Sequence, residues 1–230
     1  MISKEEVEAI IKTEINPENL YIYQRSLIHK SVPKNSTEDL KSNERLETLG
    51  DSIIGAVVME YLFFKYPNDN EGTLTKYRTR IVRGSTLAEF AIKAGLQGKI
   101  LMTEQVKKMD GFENRRILED AFEAFVGAIF LDQKYEGVKH FLVNFIEEHL
   151  QEEKILTDDN YKDMLLRYTQ SIHCEKPIYE ITNRTSNEFT IVVILFGERR
   201  GKGRNVKKKT AEQLAAKNAI ENLSLWNEIN

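Results

Sequence analysis

The sequence predicts a mainly α protein: an all-helical N-terminal domain followed by a small α+β domain with the element order α-β-β-β-α. Three observations carry that prediction. Apolar residues recur at three- and four-residue steps through most of residues 1–150, the period of a helix with one buried face. The pattern lapses over 152–159, where charge and turn formers take over. Beyond it, β-branched runs and alternating stretches appear for the first time. The expected division is therefore 1–151, a linker over 152–159, and 160–230.

Taken in order, "SLIHKS" (Ser26–Ser31) is read as helical, with His29 a packing or capping residue. Residues 43–64 set Leu46, Leu49, Ile53, Ile54, Val57, Val58, Tyr61 and Leu62 at helical spacing. "PNDNEG" (Pro67–Gly72) breaks the pattern and "TLTKYRTRIVRGSTLAEFAIKAG" restarts it. Its basic stretch Lys76–Gly84 suits the path of a polyanion and a solvated helix face about equally. "RRILEDAFEAFVGAIFLDQ" is the most apolar helix, and "GVKHFLVNFIEEHLQ" is a more amphipathic one. In the second domain "YKDMLLRYTQSI" reads as a helix, "IYEITNR" and "EFTIVVILFGE" as strands, and Arg199–Arg204 as a short third strand. "GRNVKKKTAEQLAAKNAIENLSLW" closes with a helix.

Composition excludes several classes. No run approaches the length of a membrane span, and "MISKEEVEAI" has charge where a secretory leader needs an apolar core. The single cysteine, Cys174, has no disulfide partner in the chain and points to a reducing, cytoplasmic setting. The histidines form no metal-spaced set. The net charge of −3 hides a basic segment: Gly197–Lys217 holds eight Lys/Arg against two Glu, a local charge of +6.

The chemistry concentrates in "NERLETLGDS" (Asn43–Ser52). At ~100° per residue, Glu44, Glu47 and Asp51 fall within ~60° of one another on one helix face. Asp120 and Glu123 in "ILEDAFEAFVGA" also share a face, amid Ile117, Leu118, Ala121, Phe122, Phe125 and Val126. Burying like charges costs several kcal/mol each unless something neutralises them. A divalent cation does so economically, and all-oxygen ligands suit Mg²⁺ or Mn²⁺ rather than zinc. Such a metal can activate water and stabilise a leaving oxygen in phosphodiester hydrolysis.

These stretches resemble the ribonuclease III family. "NERLETLGDS" is similar to its signature N-E-R-L-E-F-L-G-D, "ILEDAFEAFVGAIFLD" to its second acidic motif, and "NEG" (Asn70–Gly72) to its intervening acidic turn. "SLIHKS" is similar to its N-terminal "LTHRS" stretch, and "KKKTAEQLAAKNAI" resembles the last helix of a double-stranded RNA-binding domain. The resemblance implies a divalent-metal-dependent endonuclease that hydrolyses double-stranded RNA, leaving 5′-phosphate and 3′-hydroxyl ends with short 3′ overhangs. It implies a homodimer with one cutting site per strand. Glu47, Asp51, Asp120 and Glu123 would hold Mg²⁺ (or Mn²⁺), with Asp51 and Glu123 the most essential acids and Glu44 and Glu71 accessory catalytic acids. A dsRNA-binding or sequestering protein that does not cut is the alternative, and loss of one of those four acids would mark it. All four are present.

The chain departs from the family where an aromatic normally inserts into the partner subunit; it has Thr48. "SIIGAVV" (Ser52–Val58) is the expected apolar pairing surface in its place. RNA contacts are expected from Lys207, Lys208 and Lys209 at the head of the last helix, where backbone dipoles also favour phosphate. Lys162 and Arg167 on the first helix of that domain, and Arg184 near the first strand-connecting loop, are further candidates. The family's polar pair is replaced by Leu166-Arg167, and its "GPxH" turn by "NRTSNEF", in which Arg184, Ser186 or Asn187 could reach the RNA.

Overall fold

The computed structural model describes residues 1–32, 42–157, 159–185 and 187–225, so Ser186 lies outside the described residues. The chain forms two compact units, Met1–Leu156 and Thr157–Asn230.

The first unit is built on α-helices: α1 (Lys4–Ile11), α2 (Leu20–Ser26), α3 (Glu44–Lys65), α4 (Glu71–Ile81), α5 (Gly84–Lys93), α6 (Glu104–Lys108), α7 (Arg115–His149) and α8 (Glu152–Leu156). Caps set their starts. Ser3 and Glu6 make a reciprocal capping box on α1. Asn70 Oδ1 accepts from Thr73 N at 3.0 Å to open α4, and Asn114 Oδ1 accepts from Arg116 N at 3.0 Å to open α7. Helix α7 bends where Lys134 leaves helical geometry at φ 61° and ψ −165°, so the apolar and amphipathic segments read separately from the sequence run on as one long element.

The core lies where α3 crosses α7. Ile54, Val57, Val58 and Leu62 from α3 meet Phe122, Phe125 and Ile129 from α7, all of them buried. An aromatic cluster backs the crossing: Phe122 lies 5.6 Å from Phe90 and 6.0 Å from Phe145, and Phe125 lies 5.6 Å from Tyr23, ring centre to ring centre.

Four expectations change here. Residues 152–156 are helix α8 rather than linker: Ile155 is buried in the first unit's core, and Arg80 Nη1 donates to the carbonyls of Ile155 (2.6 Å) and Leu156 (3.0 Å). The short charged run concealed one apolar anchor. "SLIHKS" is helical only to Ser26; Ile28 then pairs with Leu101 in a parallel bridge, and His29 Nδ1 accepts from Ser31 N in a tight turn. The apolar residues of "SIIGAVV" do not supply a pairing surface, because Ile54, Val57 and Val58 are fully buried in the chain's own core; Ser52 and Ala56 are the exposed positions of that stretch. The basic stretch Lys76–Gly84 is partly consumed internally, since Arg78 Nε donates to the Gly55 carbonyl and Arg80 clasps α8.

The second unit comprises α9 (Tyr161–Ser171), β1 (Ile178–Arg184), β2 (Phe189–Leu195), β3 (Glu198–Asn205) and α10 (Lys208–Asn222). The strands form one antiparallel sheet in the order β1-β2-β3. Ile191, Val193 and Leu195 face the helices and pack with Met164, Leu165, Ala211, Ala215 and Ala219. Gly201 and Gly203 bring β3 hard against α10: a Cβ on either would lie 2.2 Å from a carbonyl oxygen of Ala215 or Ala211.

Candidate active site

The acidic site is a consequence of the α3–α7 crossing. Each helix presents a glycine at the point of contact. A Cβ on Gly50 would lie 1.8 Å from the Glu123 carbonyl oxygen, and one on Gly127 would lie 2.4 Å from the Leu46 carbonyl oxygen. With no side chain in the way, the backbones touch, and the acids one turn from each glycine converge. The head of α3 is pinned as well: Asn43 is buried, its amide nitrogen donates to the Ser26 carbonyl at 3.2 Å, and its backbone N–H donates to the Ile28 carbonyl at 2.9 Å.

Glu47, Asp120 and Glu123 each offer a carboxylate oxygen, and those oxygens lie within 4.8 Å of one another. They line a cavity of about 600 Å³ together with Thr48, Asp51, Arg116 and Glu119. Asp51 is exposed and sits on the cavity wall outside the tight trio. Glu119 and Arg116 are lining residues that helical spacing within "RRILEDAFEAF" did not single out. Their turn-to-turn relation to Glu123 was legible, but the cavity they share with α3 was not.

Glu44 and Glu71 do not line this cavity. Glu44 is exposed and accepts from Ser42 Oγ at 2.8 Å; Glu71, in the first turn of α4, accepts from Thr75 Oγ1 at 3.4 Å. Thr48 is exposed on the cavity wall, with its hydroxyl donating back to the Glu44 carbonyl at 3.1 Å.

The electrostatics are those of crowded, half-dry carboxylates. Burial, then the charges of Asp51, Glu119, Glu47 and Asp120, push the Glu123 carboxyl up to about 8; its residue is 8% exposed. Burial raises Glu47, with Asp120 adding to it, and burial raises Asp120 against the pull of Arg116. Burial raises Glu119 too, reinforced by Asp120. The strongest charges acting on Glu123 are all acids. A set of hard oxygen donors this close, each made reluctant to ionise chiefly by burial, fits a divalent cation of the Mg²⁺ or Mn²⁺ type.

In the second unit, Lys207 is the N-cap residue of α10, and Lys208 and Lys209 occupy its first turn. Lys208 lies 3.8 Å from Glu212 on its own helix. Lys162 is engaged within the unit. Its ammonium is bonded to Glu212 and stands 4.7 Å over the Tyr179 ring, tying α9 to α10. Arg167 pairs with Asp163 at 2.9 Å along α9, and Arg184 stacks 5.3 Å over Phe189.

Known proteins share this arrangement. A family described as Ribonuclease-III-like matches residues 19–150, and the double-stranded RNA binding motif matches residues 161–223. Ribonuclease 3 of Chlorobium luteolum is 37% identical over 209 residues, spanning 88% of this chain and 76% of the relative. Ribonuclease 3 of Staphylococcus aureus strain Mu3 is 36% identical, spanning 90% and 87%. The solved nuclease domain of ribonuclease III from Campylobacter jejuni superposes with a TM-score of 0.58 at 36% identity, covering 64% of this chain and 99% of its own; that structure concerns a region involved in dimer formation. The family model covers more than half of the chain, and the motifs, fold and acidic cavity agree with it: the chain belongs to the ribonuclease III family and is an endoribonuclease that acts on double-stranded RNA.

Proposed function

We propose that the enzyme hydrolyses phosphodiesters in double-stranded RNA with Mg²⁺, or Mn²⁺ in its place, held by Glu47, Asp120 and Glu123 with Asp51 completing the set. The observation that carries this reading is the convergence of three carboxylates from two crossing helices within 4.8 Å. A cation bound there would supply an activated water and charge stabilisation at the departing 3′ oxygen. The chain's own contribution is positional. Glu123, held near neutrality by its surroundings, gives up its proton when the site is loaded, which draws affinity upward with pH. Arg116, on the cavity wall, offers a guanidinium to the scissile phosphate. The products expected are 5′-phosphate and 3′-hydroxyl ends with short 3′ overhangs.

The enzyme acts as a homodimer in this reading, one site per RNA strand. Thr48, Ser52, Ala56 and Phe63 are exposed and fall on one side of α3 by helical rotation, which offers a face for a second copy. A cytoplasmic setting is part of the same proposal and rests on a lone cysteine without a disulfide. No helix among the described residues is long and apolar enough to cross a membrane.

Incubation with long double-stranded RNA, in Mg²⁺ and in EDTA, tests the proposal. Fragments with 5′-phosphates should appear in Mg²⁺ alone, and Glu123→Gln should bind the RNA without cutting it. Cleavage that persists in EDTA would overturn the metal assignment, and intact RNA at high enzyme and Mg²⁺ would overturn the nuclease reading.

A further inference from the structure

The hairpin joining β2 to β3 turns at Phe196 and Gly197, both with positive φ (55° and 76°). Two successive left-handed residues are the geometry of the tight hairpin turn that favours Asn, Asp or Gly in its first central place. A bulky aromatic is a costly occupant of that backbone region. Phe196 nevertheless stands there with 45% of its surface exposed, so it is not held by core packing.

Strand β3 leads away from this tip with a row of cations. Register fixes which way they point. Arg199, Lys202 and Arg204 are paired with Ile194, Val192 and Thr190, the alternate residues of β2 that face away from the helices. Gly201 and Gly203 take the positions against α10, leaving the cations the opposite face. The ladder slips between Val193 and Ile194, so Arg200 has no partner in the register, and it pairs with Glu198 at 2.7 Å. Arg199, Lys202 and Arg204 make no ion pair among the described residues. Along the β3 edge, where the sheet meets α10, a groove of about 430 Å³ lined by Arg199, Arg200, Lys202 and Asn218 adjoins a second of about 440 Å³ that shares Lys202 and Asn218 and extends to Arg204 and to the Lys217–Glu221 pair. The track ends at Asn205, two residues before Lys207.

We infer that this face binds single-stranded RNA, with Arg199, Lys202 and Arg204 on its phosphates and Phe196 stacking on a base at the hairpin tip. A cation-lined groove with an aromatic platform is the arrangement that grips single strands without sequence preference. A rigid duplex seated on Lys207–Lys209 cannot bend to follow β3, whereas a flexible strand leaving that duplex can. The inference rests on the reading that this unit holds duplex RNA through the head of α10. The substrate class it names is duplex RNA with a single-stranded flank.

Fluorescence anisotropy of the full chain in EDTA compares a blunt duplex of roughly 20 base pairs with the same duplex carrying a single-stranded extension of about ten nucleotides. The extension should tighten binding by about tenfold. Phe196→Asn places a turn-favouring residue at the tip, so the hairpin stays folded. It should abolish most of that gain and leave the blunt-duplex Kd unchanged. R199A/K202A/R204A should lose the gain too, with a shallower salt dependence. Equal affinity of the native chain for the two RNAs, or a full gain retained by Phe196→Asn, would overturn the inference and leave the cations as protection of a free sheet edge. Failure to bind the blunt duplex would overturn the duplex reading instead, and the gain from the extension would still decide the single-strand site.

Discussion

Gly50 rests directly on the backbone of Glu123: a Cβ there would lie 1.8 Å from the Glu123 carbonyl oxygen. The obstacle is main chain, which cannot rotate aside. Gly50→Ala should therefore prise α3 from α7, costing about 2 kcal/mol or more of stability. It should also weaken Mg²⁺ binding, because Glu47 and Glu123 are carried by the two surfaces being separated. Chemical denaturation and metal titration by calorimetry check the pair of effects; a variant with native stability and native metal affinity would contradict the close-contact account.

Removing one acid should relieve the crowding that remains when metal is absent. Glu123→Gln keeps the shape and deletes a buried charge pressed by four other acids. In EDTA at pH 9 the variant should be more stable than the native chain, by about 1–3 kcal/mol. It should not cleave at any Mg²⁺ concentration. Thermal unfolding in EDTA gives the comparison, and a variant less stable than the native chain would count against it.

The same carboxyl sets a pH dependence whose sign can be worked out. Its value is raised from 4.5 when unfolded to about 8 when folded, so the folded state prefers the protonated form. The associated stability is fully present below pH about 4.5 and is lost as pH rises through about 8. The metal-free protein should lose about 1–3 kcal/mol between pH 6 and 9 from this group. Mg²⁺ should stabilise the protein increasingly over the same interval, since binding requires the ionised form. Melting curves across pH, with and without Mg²⁺, check both slopes.

The exposed side of α3 predicts how two copies would meet in the proposed homodimer. Ala56→Arg puts a long charged side chain between Ser52 and Phe63 on the proposed face and disturbs none of the buried residues of α3. Sedimentation velocity should show the variant shifted from dimer to monomer at micromolar concentration, with its melting temperature within a few degrees of native. An unchanged dimer would move the interface elsewhere.

Two kinds of lysine should separate in the C-terminal unit. K208A/K209A should weaken duplex binding and lower the salt slope by about 2, one unit for each phosphate no longer neutralised. Lys162→Ala should leave the slope in place and lower stability, because that ammonium joins α9 to α10 through Glu212 and Tyr179. Titrations at several salt concentrations resolve the difference; identical slopes for the native chain and K208A/K209A would remove the phosphate role.

Helical order, the sheet and the acidic residues were legible because each depends on periodicity within one segment. Leu46 to Leu62 declare a buried face by spacing alone, and Phe189 to Leu195 declare a strand by branched side chains. What escaped depends on how segments meet. Gly50 and Gly127 carry no side chain to signal their contact. Glu119 resembles any solvated helical acid until α3 is laid beside it. Ile155 and Leu156 are one adjacent apolar pair in a charged run, too little for a period. Lys162 reads as available in sequence, and Glu212, fifty residues on, neutralises it in the fold.

The aromatic cluster behind the crossing gives the acidic site its mechanical character. Phe122 lies between Asp120 and Glu123 in sequence and packs on Phe90, Phe141 and Phe145, so the turn bearing both acids is moored to the innermost part of the unit. Local fraying cannot loosen such a site by stages. Amide hydrogens around Glu123 should exchange with solvent only when the whole unit opens, and heat should end metal retention and the fold in a single event.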